Sequence, residues 1–235
     1  MQLFFKENIK GRGIDGLDEE ESKHIIKVLR LAKDDTFHLT DGKGTLAKVR
    51  ITNANAKKCE IETVYFQQIT KGKNFYIHLV IAPTKNAERI EWLIEKCVEI
   101  GIDEISFVIT KHTERIHFNT ERIEKKAITA LKQSLQTWLP KINAPQSFET
   151  LVQEIPQHQK FIAYVDNENT ATLFRMAHIA QTYCILIGPE GDFSKEELQI
   201  ALNADFLKIS LGANRLRTET AGLVACCTLN LLNEK

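Results

Sequence analysis

Two short segments of this chain combine residue types that could hold a charged small molecule and act on it. The first is Leu186-Ile187-Gly188-Pro189-Glu190-Gly191-Asp192-Phe193-Ser194-Lys195-Glu196-Glu197. The apolar run 184–187 reads as a buried strand. Pro189 then fixes φ and removes a donor, while Gly188 and Gly191 permit backbone that other residues avoid. Ser194 lies three residues before Glu197, the spacing of a capping box that opens a helix. A tight loop is therefore expected at the carboxyl end of a strand, where open α/β sheets bind ligands. The second segment, 209–222, repeats the logic: a strand ending at Gly212, a polar turn, and a helix beginning between Thr218 and Thr220. Two such loops could wall one pocket, with Arg217 and Glu219 at its rim. A guanidinium there could stabilise developing negative charge or bind phosphate. A first-turn carboxylate could take a proton, orient the arginine, or simply suit the helix dipole.

The elements that must position these loops are set by periodicity. Residues 75–83 form a near-continuous apolar run of the kind found in parallel sheets. From there strands and helices alternate: helix 87–100, strand 105–109, helices 120–136 and 148–153, strand 160–165, helix 170–180, strand 183–187, helix 195–202, strand 206–210 and helix 219–232. That alternation predicts an α/β domain with a mainly parallel sheet. In helix 87–100, Ile90, Leu93, Ile94 and Val98 are spaced to face inward.

Residues 1–72 read differently. Strand-type alternation at 2–6, 36–40, 45–52 and 58–65, with a turn at Asp41-Gly42-Lys43-Gly44, suggests a small barrel. One helix interrupts it, from 19 to 31, with Asp18 as N-cap. Ile25, Val28 and Leu29 are expected to face inward, widened by Ile26, leaving Lys23, Lys27 and Arg30 on an exposed side. Gly72-Lys73 marks the boundary between a domain 1–72 and a domain 73–235.

Composition narrows the function classes. With 235 residues, 43% hydrophobic and 26% charged, the chain has the make-up of a globular protein with a sizeable core. No run approaches the ~18 apolar residues of a membrane helix, and the amino end lacks a signal-peptide layout, so no membrane partner and a cytoplasmic location are expected. The five cysteines are scattered without a C-x-x-C pair and read as free thiols in a reducing compartment; no metal is expected. The formal net charge of +0 counts against nucleic acid, but the basic residues are grouped. They cluster at Lys23, Lys27, Arg30 and Lys33, at Lys48, Arg50, Lys57 and Lys58, and at Lys111, Arg115, Arg122, Lys125, Lys126 and Lys132.

Taken in order, these segments resemble the bacterial 16S rRNA (uracil-N3)-methyltransferase family, a branch of the knotted SPOUT methyltransferases. The resemblance covers nearly the full length. The Ile-Gly-Pro-Glu-Gly loop and Leu216-Arg217-Thr218-Glu219-Thr220-Ala221 match the family's two cofactor motifs. Arg89 to Gly101 matches its first helix, and Ala130, Gln133, Ser134 and Pro140 match a later one. His24 to Arg30 and Asp41 to Gly44 match its RNA-binding domain. The resemblance implies a PUA-like β-barrel at 1–72, then a SPOUT-type parallel sheet with a carboxyl-terminal trefoil knot, a topology that ordinary connection rules would not suggest. It implies S-adenosylmethionine as cofactor, held by Leu186, Ile187, Gly188, Glu190, Gly191, Leu211, Gly212, Leu216, Thr220 and Ala221. It implies 16S rRNA or the small ribosomal subunit as partner, touched by His24, Lys27, Arg30, Lys85, Arg89, Gln133 and Ser134. Arg217 and Glu219 become the catalytic candidates, and a homodimer is expected, with the apolar face of Leu223, Val224, Cys227 and Leu231 available to it.

The chain departs from the family at Asp192, where a glycine is usual, and at Ala213-Asn214-Arg215-Leu216, where the first arginine is displaced by one place. Two other readings compete: an RNA-binding protein that kept the fold without catalysis, and an α/β enzyme acting on a small phosphorylated substrate.

Overall fold

The structure, a computed structural model, describes residues 2–114, 119–166 and 171–234. Arg115, of the third basic group, and the first residue of the predicted helix 170–180 lie outside them. The chain forms two compact units. One runs to Gly72 and also takes in Ile128–Leu139; the other comprises Lys73–Ala127 and the chain from Pro140 onward.

The first unit is a five-stranded sheet of β1 (Leu3–Phe5), β2 (Ile14–Gly16), β3 (Thr36–Thr40), β4 (Thr45–Asn53) and β5 (Glu60–Gln68), in the order β1-β3-β4-β5-β2. β1 runs parallel to β3, and the other pairs are antiparallel. Phe37, Leu39, Val49, Ile51 and Ile61 project to one side and bury with Ile25. The segment 128–139 closes on the β3–β4 turn: Gly44 N–H donates to Thr137 O and Leu139 N–H to Gly42 O, both at 2.8 Å. Gly44 has φ +91°, and a Cβ there would fall 2.4 Å from the Trp138 ring, so only glycine fits.

The predicted helix 19–31 is corrected. α1 spans Glu19–Lys23, capped by Asp18, and His24–Val28 then winds as a π-helical turn. The wider turn shifts the register of the inward face. Ile25 stays buried and Ile26 and Leu29 pack against the core, but Val28 is 68% exposed. Arg30 ends the segment at φ +56°.

The second unit contains β6 (Tyr76–Ile81), β7 (Glu104–Ile109), β8 (Lys141–Ile142), β9 (Gln146–Ser147), β10 (Gln159–Ala163), β11 (Thr182–Ile187) and β12 (Leu207–Ile209). The sheet order is β12-β10-β11-β6-β7-β8, with β9 also on β7, and every pair is parallel, as the apolar runs predict. α2 (Ala87–Ile100) starts at the Asn86 cap and ends at Gly101 with φ +108°. Its expected inward residues Ile90, Leu93, Ile94 and Val98 are all buried. α7 (Thr218–Asn233) packs on α2 and β6. A Cβ on Gly222 would come within 3.1 Å of both Ile81 and Leu93, so this glycine sets how closely α7 approaches. α4 (Phe148–Glu154) and α6 (Lys195–Asn203) share a second core with Val80, Leu186, Phe193 and Phe206. α3 (Thr120–Gln133) stops three residues earlier than expected, with Leu135 at φ +57°. Within the predicted 170–180, the described helix is only α5 (Leu173–Met176). The short β2, β8 and β9 were not foreseen; two or three residues are too few to show alternation.

Candidate active site

The carboxyl ends of three adjacent strands open onto one cavity of about 1060 Å³. From β10 the chain passes to β11 on one side and then to β12 on the other. Side connections that diverge in this way leave a crevice above the strand ends.

The loop after β11 is fixed from below. Ser194 and Glu197 form the expected capping box: Ser194 Oγ accepts from Glu197 N–H at 3.2 Å, and Glu197 Oε2 accepts from Ser194 N–H at 2.7 Å. The buried Glu197 reaches further, since its Oε1 accepts from Lys111 N–H at 2.7 Å, tying this loop to the segment after β7. Asp192 N–H donates to Pro189 O at 3.0 Å, closing a turn. The Phe193 ring lies under Gly188, where a Cβ would sit 3.2 Å from it. A Cβ on Gly191 would be 3.1 Å from His112 Cβ. Glu190 Oε1 accepts from Lys85 N–H at 3.3 Å, and Arg215 donates to Glu190 O at the same distance.

Asp192 takes φ +61°, a conformation costly for most residues with a side chain, and compensates through its carboxylate. Oδ1 accepts from Phe193 N–H at 2.8 Å and Oδ2 from Val165 N–H, beyond β10, at 3.0 Å. His112 Nδ1 lies 2.9 Å from Asp192 O; as a carbonyl only accepts, the ring donates from that nitrogen. Burial pushes the Asp192 carboxyl above its ordinary value, and the two backbone N–H groups partly offset this.

The loop after β12 is looser. Gly212 has φ +137°, and Ser210 Oγ bridges to its backbone. Arg217 occupies the N-cap position of α7 without a side-chain cap bond. Arg217 is among the residues lining the cavity, and its guanidinium makes no hydrogen bond or ion pair with any described residue.

The sequence-predicted residues divide accordingly. Ile187, Gly188 and Glu190 line the cavity from one loop, and Leu211, Gly212, Leu216, Arg217 and Ala221 from the other. Leu186 is buried within β11, and Thr220 is on α7 away from the lining. Gly191 faces a smaller hollow with Lys111, His112 and Glu114. Glu219 is 7% exposed and also off the lining: Oε1 lies 3.7 Å from Arg89 Nε, and the buried Oε2 has no hydrogen-bond partner among the described residues. It therefore lies against α2, not against Arg217. The residues that sequence reasoning missed come from the third loop: Tyr164, Val165 and Asp166 after β10, with Thr172. The apolar run 160–165 marked the strand, but no glycine marked the loop beyond it. Asp166 forms an ion pair with Lys208.

The residues expected to touch RNA are spread over both units. In the first, His24, Lys27 and Arg30 are exposed, with the His24 ring edge-on to Phe4. Gln133 is exposed, while Ser134 Oγ donates to Ala130 O at 2.8 Å and so has only acceptor capacity left. In the second, Lys85 pairs with Glu114 at 2.9 Å, and Arg89 with Glu219. Much of the expected basic surface is internally paired: Lys23 with Glu19, Arg50 with Glu62, Arg122 with Glu91, Lys132 with Glu21.

A second polar cluster lies at the amino ends of β6, β7 and β8, around a hollow of about 470 Å³. Glu104 accepts from Tyr76 Oη, Lys141 Nζ and Asn143 Nδ2 at 2.9, 2.9 and 2.7 Å. Ser106 Oγ lies 2.8 Å from His78 Nε2 and from Asn143 Nδ2. Burial lowers the His78 pKa, and despite burial the donors around Glu104 hold its carboxyl below the usual range.

Among the described residues, no group of three or more His, Cys, Asp or Glu could hold a metal, the five cysteines are free, and no helix is long and apolar enough to cross a membrane.

Residues 71–230 match the family model of an RNA methyltransferase domain, and residues 17–64 that of an RNA methyltransferase PUA domain. Ribosomal RNA small subunit methyltransferase E of Aquifex aeolicus is 30% identical over 94% of this chain and 95% of its own length. The protein of that name from Buchnera aphidicola is 30% identical over 92% of this chain and 87% of its own. The crystal structure of a probable rRNA-methyltransferase from Porphyromonas gingivalis superposes with a TM-score of 0.93 at 40% identity, covering 99% of this chain and 98% of that one. Ribosomal RNA small subunit methyltransferase E from Neisseria gonorrhoeae, bound to S-adenosyl methionine, gives 0.86 at 25% identity, with 99% and 98% covered. A parallel sheet with an open crevice above three strand ends, and relatives that match it end to end, make this chain a member of the RNA methyltransferase family.

Proposed function

We propose that this protein transfers the methyl group of S-adenosylmethionine to N3 of one uridine in the 16S RNA of the small ribosomal subunit. The cavity fits such a cofactor. Its volume is in the range of ~300–1,000 Å³ or slightly above that small-ligand sites occupy. Gly212, at φ +137° with nothing within 4 Å of its missing Cβ, leaves room for a ring against backbone, and apolar Ile187, Leu211, Leu216 and Ala221 flank it. When bound, the cofactor supplies a methyl group on a sulfonium.

The protein's own task is to make uracil N3 nucleophilic. N3 carries a proton at neutral pH, and as it leaves, negative charge spreads to O2 and O4. The guanidinium of Arg217 at the cavity, without a partner among the described residues, is the observation that carries this reading, because a cation there can stabilise that charge. Glu219, set against Arg89, acts in one of two ways. Its buried Oε2, without a hydrogen-bond partner among the described residues, accepts the N3 proton, or its carboxylate holds Arg89 in place against the RNA.

RNA is gripped by the PUA-like domain, residues 1–72, through His24, Lys27 and Arg30, and by Lys85, Arg89, Gln133 and Ser134. Ser134 can accept there from a ribose 2′-hydroxyl. The domain 73–235 is the methyltransferase domain, and its α7 closes a trefoil knot. The enzyme works as a cytoplasmic homodimer. In support, α2 and α7 pack together and leave Trp92 (42%), Ile100 (37%) and Leu231 (63%) exposed.

The test is transfer of labelled methyl to small ribosomal subunits from a strain lacking the activity. Label recovered as N3-methyluridine at one site, and lost with Arg217→Ala, is expected. Label in another nucleoside would overturn the N3 assignment; no label with folded, cofactor-bound protein would overturn the substrate.

A further inference from the structure

Three carboxylates line the cavity, and they are neutralised differently. Asp166 is ion-paired with Lys208. Glu190 is exposed, bonded to Lys85 N–H. Asp192 is partly buried, and each of its oxygens accepts from a backbone N–H alone, at 2.8 and 3.0 Å. Those N–H dipoles hold the carboxylate in place; Arg215 and His112 act on it electrostatically, but no ion pair forms between it and any described residue.

We propose that Asp192 makes the cavity discriminate by charge, favouring the sulfonium cofactor over the uncharged thioether left after methyl transfer. This rests on the use of S-adenosylmethionine proposed above. The reaction converts a cationic sulfur into a neutral one and leaves adenine, ribose and the amino-acid tail unchanged. A residue that acts through loop shape alters the binding of both forms alike. Only a charge facing the ligand separates them, because its Coulomb interaction is present with one form and absent with the other. Asp192 meets that requirement, with its side chain part of the cavity wall. Its φ of +61° is one that glycine adopts without strain, so a glycine there removes the charge while keeping the turn. The consequence is faster exchange of spent for fresh cofactor and weaker product inhibition.

Calorimetric titration of S-adenosylmethionine and S-adenosylhomocysteine into the full-length protein, without RNA, measures both affinities for the wild type, Asp192→Asn and Asp192→Gly. The asparagine keeps an acceptor for one N–H, and the glycine relieves the backbone strain, so the two variants perturb the loop in different ways. The preference for the sulfonium should fall roughly 5- to 10-fold in both, as expected for one half-solvated charge. If both ligands weaken by one common factor, Asp192 only positions the loop and the proposal is overturned. Unchanged affinities overturn it as well. Wild-type protein that binds neither ligand would instead sink the cofactor reading on which the proposal stands.

Discussion

The two ends of the parallel sheet in the second unit are both polar, and they differ in what their side chains are committed to. At the amino ends, Glu104 receives three donors and Ser106 bridges His78 and Asn143. At the carboxyl ends, Arg217 has no partner among the described residues, and the loops are held largely through their backbones by Glu197, Asp192 and Ser210. A polar group saturated inside the protein adds to specificity of folding. One held rigid but left unsatisfied keeps its interaction free energy for a ligand or a transition state. The contrast makes the carboxyl end the first place to test for chemistry, although His78 Nδ1 at the amino end also lacks a hydrogen-bond partner among the described residues.

Substituting the free cation should separate the two ends most sharply. Arg217→Ala is expected to lower kcat by about 10²–10³, the effect of removing one charge-stabilising donor. The melting temperature should hardly move, since exposed side chains without partners change stability by about 0.5 kcal/mol or less. Arg217→Lys should recover little, as an ammonium lacks the planar fork. Single-turnover methyl transfer alongside thermal denaturation checks this; a large loss of stability with intact turnover would reverse the assignment of the two ends.

The mirror experiment is Glu104→Ala. It strands Lys141, Asn143 and Tyr76 without their acceptor, and breaking such a cluster costs about 3 kcal/mol. For a chain of this size that corresponds to a fall in melting temperature of roughly 6–12 °C. Turnover per folded molecule should stay within about twofold of wild type. Loss of catalysis without loss of stability would make the amino-end cluster a functional site.

The carboxyl-end loops were legible in the sequence because the residues that shape them are punctuators. The Ser194–Glu197 pair is found in use as a capping box, whereas Gly188 and Gly191 serve close approach to Phe193 and His112 and not the special backbone expected of them: neither has a positive φ, which falls instead on Asp192. The third wall of the cavity, Tyr164 to Asp166, carried no such mark and was missed. The amino-end cluster was invisible for a different reason. His78, Glu104, Ser106 and Asn143 meet only through strand register, with His78 opposite Glu104 across β6 and β7, and pairing of distant strands is not encoded locally. The inward position expected for Val28 failed because the helix widens into a π turn there. Nor did the chain announce that Ile128–Leu139 belongs with the first unit: Trp138 over Gly44 is a contact between residues far apart in sequence.

A smaller effect tests whether loop shape matters independently of charge. Gly188→Ala puts a methyl 3.2 Å from the Phe193 ring and 3.3 Å from its amide nitrogen. The buried ring, packed against Phe148, has little room to retreat. S-adenosylmethionine and S-adenosylhomocysteine should then weaken together, each by about tenfold, or ~1.4 kcal/mol. An unequal loss would mean that Gly188 also senses the sulfur, and the separation between backbone cradle and Asp192 charge would fail.

The weakest and most diagnostic difference is in pH dependence, because the pKa values of His78 and Glu104 at the amino end are lowered and that of Asp192 at the carboxyl end is raised. His78 is a base held below its ordinary value of 6.5. On acidification the unfolded chain binds its proton first, so stability is lost as pH falls below about 6.5. Glu104, held below 4.5, adds a further loss as pH falls below that value, because again the unfolded state protonates first. Asp192 has the reverse sign. Its folded value lies above 3.8, so the folded state takes the proton first, and acidification through that folded value relieves a destabilisation. Melting temperatures of the wild type should therefore decline from pH 7 to 5. His78→Asn should flatten that decline without abolishing it, since burial lowers the His38 pKa with the same sign. Asp192→Asn should steepen the loss of stability on acidification, since it removes the one group of the three whose protonation favours the folded state. An unaltered slope between pH 5 and 7 in His78→Asn would show that the amino-end histidine is not held neutral by its surroundings, and the amino end would no longer be the committed half of the sheet.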